Sequence, residues 1–278
     1  MSASASTASC SLPAFTVFAA GDCTLTTTDD LGSLACGGNV KLTSYSIGQS
    51  LPSTGTCQNV LVSGGSTSFN SGVAVYGNSV SGGTSNCAAA TFYNGCDCST
   101  STSGVVDFTA GVASMKALSA RYAALSGTPG VVSYGSITLT AGPSASALGY
   151  AVFTLTSAQL SSCNSFTINA PAGVLVIVNV AGTQNMMQNF QFTLSGGVDV
   201  SHVLLNFPQT TALAIQSISV QGTVLAPYAA LSFNNGNTHG GLFVDSVSGT
   251  GEVEYAAPLT PVCVAAPSGG ARRLRGAR

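Results

Sequence analysis

Tryptophan is missing from this chain of 278 residues, and charge is nearly so: Asp, Glu, Lys and Arg make up 6% of it, against about 25% in ordinary globular proteins. Cations are the scarcest. Four of the seven (Arg272, Arg273, Arg275 and Arg278) fall in the last seven positions, which leaves Lys41, Lys116 and Arg121 against nine acids in the rest. Neutralising a nucleic-acid backbone takes about 6–10 cationic contacts, so nucleic-acid binding is excluded. Long apolar runs are lacking too. The longest, residues 173–180 (GVLVIVNV), is too short to span a bilayer, and no hydrophobic tail for a lipid anchor follows Cys263. The opening MSASASTASC has neither the basic nor the apolar region of a signal peptide. The sequence therefore reads as a fragment, a domain of something longer, or a product without its leader. There is no C-x-x-C pair and no N-x-[ST] sequon.

What is present is small and hydroxylated. The chain holds 33 Gly, 39 Ser and 29 Thr, with a 45% hydrophobic fraction that can fill a sizeable core. Nine cysteines in so uncharged a chain point to an oxidising compartment and to disulfides rather than zinc. Short closing loops favour Cys23 with Cys36, and Cys87 with Cys96 or Cys98. The odd count leaves one thiol free or intermolecular.

Period-two runs rich in Val, Ile, Thr, Phe and Leu recur along the chain, for example residues 39–47 (NVKLTSYSI), 73–80 (VAVYGNSV), 131–140 (VVSYGSITLT) and 150–156 (YAVFTLT). Between Cys163 and Tyr255 strand-length units return about every ten residues without the Asn-Gly or Asp-Gly turns of antiparallel hairpins. Residues 222–226, 230–233, 240–244 and 249–253 look like successive sides of one winding. The expected fold is all-β: a right-handed parallel β-helix, or β-solenoid, with one α-helix packed alongside. The helix is expected over about 107–126, where Phe108, Val112, Met115, Leu118, Tyr122 and Leu125 form one stripe, capped by Asp107 and stopped by Gly127 and Pro129. Residues 87–103 (CAAATFYNGCDCSTSTS) read as an insertion or elaborated Cys-rich loop held by disulfides. The domain is expected at 13–263, between a short extension (1–12) and a disordered Arg-rich tail (264–278).

The order of phrases resembles a known family. Residues 15–22 (FTVFAAGD), 36–48 (CGGNVKLTSYSIG) and 59–65 (NVLVSGG), followed by Asp107–Phe108 opening the helix, are similar to the choice-of-anchor A domain of bacterial surface proteins. The second half is closer: 165–173 (SFTINAPAG), 178–182 (VNVAG), 199–208 (DVSHVLLNFP), 222–230 (GTVLAPYAA) and 248–252 (SGTGE). The likeness covers about 13–263 and implies an adhesive module of the cell surface. The strand order interrupted by a helix is also similar to that of ice-binding-like β-solenoids. The chain departs from the family in its Arg-rich end, where an anchor is expected, and in its nine cysteines.

Chemistry is thin. Asp29 and Asp30 are adjacent, would face opposite sides of a strand, and are expected in a turn. Glu252 and Glu254 share a strand face, expected as a solvated edge without further oxygens for calcium. His202 and His239 lack a nucleophile motif and read as structural. β-Helix lyases and hydrolases need clustered Asp with Lys or Arg, so the chain reads as non-enzymatic, with no cofactor and no metal. Binding suits it better: Thr24, Thr26 and Thr28, Thr138 with Thr140, and Thr154 with Thr156 would each line a strand face, and uncharged hydroxyl arrays can meet ordered water or polysaccharide without desolvating ions. The expected function is an extracellular or cell-surface, adhesin-like module for carbohydrate or another surface partner. Ice binding is the alternative, and a structural coat component the third. A regular Thr/Ser/Ala row would favour ice, and a groove lined with aromatics would favour sugar.

Overall fold

The computed structural model describes residues 10–52, 56–101, 103 and 105–264. Each short β run stacks on its counterpart in the next coil, and all these ladders are parallel except the Val132–Ser133/Ser136–Thr140 pair. The fold is a parallel β-helix of three faces. Its first coil is Val17–Ala19, Cys23–Thr26 and Asp29–Asp30; the second is Leu34–Cys36, Val40–Thr43 and Ser46–Ile47; the third is Asn59–Ser63, Thr67–Phe69 and Val73–Val75. These three positions define a helix face, an open face and a third face.

The coils do not follow one another in chain order. The N-terminal stack climbs from the first coil to Cys98–Ser99, and helix α1 (Phe108–Ala123) interrupts the winding. The remaining coils then start at the opposite end, from Thr128–Pro129. They wind back until Leu242–Gly249 pairs with Val17–Ala19 and Cys23–Thr26, and Glu252–Glu254 with Asp29–Asp30. The first coil therefore lies mid-solenoid with the last coil docked on it. Residues 222–226 and 230–233 prove to be two parts of one strand, Thr223–Asn234, that turns from the helix face onto the open face.

Two kinds of corner make the stacking work. Between helix face and open face, Gly37–Gly38, Gly64–Gly65 and Gly82–Gly83 lie directly above one another, each pair hydrogen-bonded to the coil below. A methyl on Gly64 would run into the Gly37 carbonyl oxygen, and one on Gly82 into that of Gly64. Glycine is needed there for close approach. Between open face and third face, Thr27, Ser44, Asn189, Ser217 and Asn235 take left-handed conformations with φ between 49° and 66°, which short polar side chains tolerate best. This corner breaks the apparently continuous run 39–47 at Ser44.

Inside the three faces the core is stacked Val, Leu, Ile and Phe. A second core lies outside the helix face, where Met115, Leu118 and Tyr122 of α1 cover Phe18, Ala35, Ile177, Leu204 and Leu225. Asp107 caps α1 by accepting from the Ala110 N–H at 2.9 Å. A buried polar chain registers the helix. The Ser119 hydroxyl bonds Asn206 Oδ1 at 2.6 Å, Asn206 Nδ2 donates to Asn179 Oδ1 at 2.7 Å, and Asn179 Nδ2 donates to the Tyr122 carbonyl at 2.9 Å. Two further short helices, α2 (Ala145–Leu148) and α3 (Ser157–Ser161), stand beside the one expected. Among the described residues no helix is long and apolar enough to cross a membrane.

The structure pairs Cys23 with Cys36 and Cys87 with Cys98. Cys96 bonds Cys57 instead, Cys10 bonds Cys263, and Cys163 is the buried free thiol. Within 87–103, held by the Cys87–Cys98 and Cys57–Cys96 bonds, Ala90–Phe92 extends the third face and Cys98–Ser99 the helix face. The Cys10–Cys263 bond ties residues 10–12, expected as a loose extension, to the end of the domain. Arg121 Nη1 reaches Cys10 Sγ at 3.1 Å and the Val264 carbonyl at 3.5 Å. The expected Arg-rich tail from 265 onward lies outside the described residues.

The acids correct the sequence reading most sharply. Asp29–Asp30 is a strand, not a turn, and sits at the seam between the two stacks. Asp29 faces outward beside Glu252, so Glu252 and Glu254 are not a lone solvated pair. Burial raises the Asp29 and Glu252 carboxyls, which share a hydrogen bond, and the Glu254 charge adds to both. Asp30 points inward, fully buried in register between Val253 and Ile47. One oxygen accepts from the Gly32 N–H at 2.9 Å and the other has no partner among the described residues. Burial pushes this carboxyl up to about 7; the Asp29 charge adds to the rise and the Gly32 hydrogen bond opposes it.

Two outcomes follow for stability. Gly64→Ala should cost about 2–3 kcal/mol through the forced backbone shift. Gly142→Ala, whose methyl meets nothing within 4 Å, should cost about 0.5 kcal/mol or less; denaturant midpoints check both. Asp30 keeps a proton in the folded state that the unfolded chain has released, between its ordinary value of 3.8 and about 7. Stability should therefore fall as pH rises through that window and level off above it, by about 4 kcal/mol. Asp30→Asn should flatten this dependence, and an undiminished fall in the variant would refute the assignment.

Candidate functional site

The open face is an exposed surface of seven strands aligned across both stacks. Its strands are Gln184–Gln188, Ala212–Gln216, the second part of Thr223–Asn234, the second part of Leu242–Gly249, Cys23–Thr26, Val40–Thr43 and Thr67–Phe69. Alternate residues such as Leu213, Ile215, Leu231, Phe233, Val247, Leu25 and Leu42 are buried, so the residues between them must point out. Register then fixes the rows. The central row is Met186, Ala214, Ser232, Ser248, Thr24, Lys41 and Ser68. Beside it run Gln184, Ala212, Ala230 and Ser246 on one side and Gln188, Gln216 and Asn234 on the other. From Met186 to Thr24 the central row carries no charge. A shallow depression of about 240 Å³ follows the middle of the face, lined by Thr24, Ala230, Ser232, Ser246 and Ser248, with the Asp22 carboxylate at its edge.

The threonines singled out in the sequence divide. Thr24 and Thr26 are on this face, with Thr26 in register with Thr43. Thr28 is not: the strand ends at Thr26, and left-handed Thr27 turns the chain onto the third face. Thr138 and Thr140 are exposed on the third face of the C-terminal stack, where Thr138, Thr167 and Thr193 form one register row and Thr140, Asn169 and Ser195 the next. Thr154 belongs to the helix face, in register with Asn179 beneath α1. Thr156 is a helix cap: its hydroxyl accepts from the Gln159 N–H at 3.2 Å to start α3, and Gln159 Oε1 accepts from the Thr156 N–H at 2.8 Å. Thr156 thus starts a helix, and neither residue stands on the open face.

Sequence reasoning missed Ser232, Ser248, Ala214, Thr167 and Thr193. A signal for the last two was present, since SITLT, SFTIN and QFTLS repeat an apolar–Thr–apolar core. Ser232 and Ser248 carry only the ordinary alternation of their strands, and their neighbours come from distant coils.

Other polar groups are locally employed. Ser201, His202 and Asp199 lie together, but Ser201 Oγ and Asp199 Oδ1 both meet the same His202 nitrogen, Nδ1, each at 3.0 Å. No relay through the ring results. Asp199 also accepts from the Ser201 N–H at 2.9 Å, capping a short 3₁₀ turn. The hydrogen bonds from Ser201 and His202 hold its carboxyl below the usual range. His239 stands in register beside Glu254 on the third face. Lys116 of α1 sits over the Tyr228 ring, 4.9 Å from its centroid. Among the described residues no group of three or more His, Cys, Asp or Glu is placed to hold a metal ion.

Solved structures with a similar chain path include an ice binding protein from an Antarctic biological consortium (14% identity over 86% of this chain and 84% of that one, TM-score 0.38). Another is an ice binding protein from an Antarctic bacterium, Flavobacteriaceae (11% identity, 90% and 82%, TM-score 0.33). No curated protein matches the chain. The family model described as "Putative Ice-binding-like adhesive domain" matches residues 11–255, nearly the whole solenoid, and the chain belongs to that ice-binding-like adhesive domain family.

Proposed function

We propose that this chain is a non-catalytic, extracellular adhesive module and that its open face holds ice. The observation that carries this reading is the uncharged central row Met186, Ala214, Ser232, Ser248 and Thr24, in register across five strands. Such rows repeat about every 4.8 Å across strands and about every 6.7 Å along them. Small uncharged groups, a methyl at Ala214 and hydroxyls at Ser232, Ser248 and Thr24, stand in succession along the row, so ordered water can be met there without stripping an ion of its hydration. The four disulfides suit an oxidising, extracellular setting. Within the family, the phrases GTVLAPYAA and DVSHVLLNFP support a choice-of-anchor A type of surface domain. Adhesion to glycan on a neighbouring cell is the second reading, favoured by a cleft beside the stacked tyrosines Tyr76 and Tyr93 of the N-terminal stack.

Thermal hysteresis and ice-recrystallisation assays on the oxidised chain test the first reading. Activity is expected, with Ser232→Tyr or Ser248→Lys at the centre of the face lowering it about tenfold or more, as a lost contact of about 1.4 kcal/mol would. Thr91→Tyr on the third face should leave it unchanged. Ordinary ice growth at high protein concentration, or full activity in the central variants, overturns the reading.

A further inference from the structure

Tyr76 and Tyr93 stack with ring centroids 4.5 Å apart and planes 7° from parallel. They follow the paired strands Val73–Val75 and Ala90–Phe92, so they occupy one register position in successive coils. The same position one coil earlier, after Ser46–Ile47, is Gly48, which turns the chain at φ 84° and offers no side chain to continue the stack. Tyr93 thus covers one side of the Tyr76 ring, and next to Gly48 the ring borders a cleft of about 470 Å³. That volume is within the range of small-molecule sites, about 300–1,000 Å³.

The lining narrows the ligand. It contains no Lys, Arg, His, Asp or Glu, so an anion finds no counter-charge and a metal ion no carboxylate. Gln49 and Asn94 bring amide side chains that make no hydrogen bond among the described residues, and a wholly apolar ligand would strand them. Leu51 supplies an apolar wall, and the Cys57–Cys96 disulfide fixes one side. An aromatic face with adjacent neutral amides suits a ring that is apolar on one side and hydroxylated at its rim. We propose that this cleft binds a neutral saccharide, its ring stacked on Tyr76 and its hydroxyls held by Gln49 and Asn94. The site is away from the open face and does not rest on the ice reading.

Saturation-transfer NMR on the full, oxidised chain tests it, with glucose, galactose, mannose, N-acetylglucosamine, cellobiose, chitobiose and lactose as probes. Transfer to the ring protons of at least one probe is expected. Tyr76→Ala should weaken binding about tenfold, and Tyr76→Phe should retain it, because stacking does not use the hydroxyl. If Tyr76→Ala fails to fold, the exposed pair Gln49→Ala with Asn94→Ala carries the test and should weaken binding severalfold. No transfer to any probe, or full-strength transfer in Tyr76→Ala or in the amide pair, overturns the proposal. Ice activity in Tyr76→Ala and sugar binding in Ser232→Tyr should both persist, so the failure of one site is told apart from the failure of the other.

Discussion

Backbone pairing between coils is the constraint on which everything else depends. Parallel strands about 4.8 Å apart allow only side chains and turns that can stack on themselves at that spacing. Inside, this selects columns such as Val178, Leu205 and Val224. At the corners it selects residues with no Cβ or a tolerance for left-handed backbone: the Gly37, Gly64 and Gly82 ladder on one edge, and Thr27, Ser44, Asn189, Ser217 and Asn235 on another. The same spacing that compels order inside produces order outside. The row from Met186 to Thr24 is regular because the coils beneath it are.

A solenoid built in two stacks needs a joint, and here it lies at the first coil. On the helix and open faces the joint is well knit, since Leu242–Gly249 pairs along both Val17–Ala19 and Cys23–Thr26. On the third face only Val253 and Asp30 are partners, and the carboxyls of Asp29, Asp30, Glu252 and Glu254 gather around them. Apolar columns thus give way to acids where the two halves meet, and burial raises the carboxyls of Asp29, Asp30 and Glu252. The helix and the Cys10–Cys263 disulfide compensate. The Ser119–Asn206–Asn179 chain sets α1 on the C-terminal stack, and Phe18 and Ala35 of the N-terminal stack pack beneath the same helix. On the chain-entropy picture, a disulfide closing so long a loop removes about 5 kcal/mol of unfolded-state freedom.

Much of this architecture was legible in the residues. The heptad-like steps from Phe108 to Leu125 marked α1, and Asp107 marked its start. Alternation marked the strands. Less was legible where one residue decided a break. Residues 39–47 alternate without interruption, yet Ser44 turns a corner, because its left-handed backbone is imposed by the coil above and below. For the same reason Thr28 left the row of Thr24 and Thr26. Thr154 and Thr156 look in sequence like Thr138 and Thr140, but the first lies on the helix face in register with Asn179 and α3 begins at the second.

By itself the sequence determined the kind of surface this protein has: almost no cations, abundant hydroxyls and an apolar interior of period two. Composition and alternation are local properties, and they survive any arrangement of coils. Only the tertiary structure decided which hydroxyls stand together. Thr24, Ser248, Ser232 and Ala214 come from strands as much as 224 positions apart in numbering and meet because the last coil docks on the first. The fate of the acids was decided the same way. Asp30 is an ordinary carboxylate in sequence and a buried, proton-holding group in the fold, because the partner that buries it is Val253.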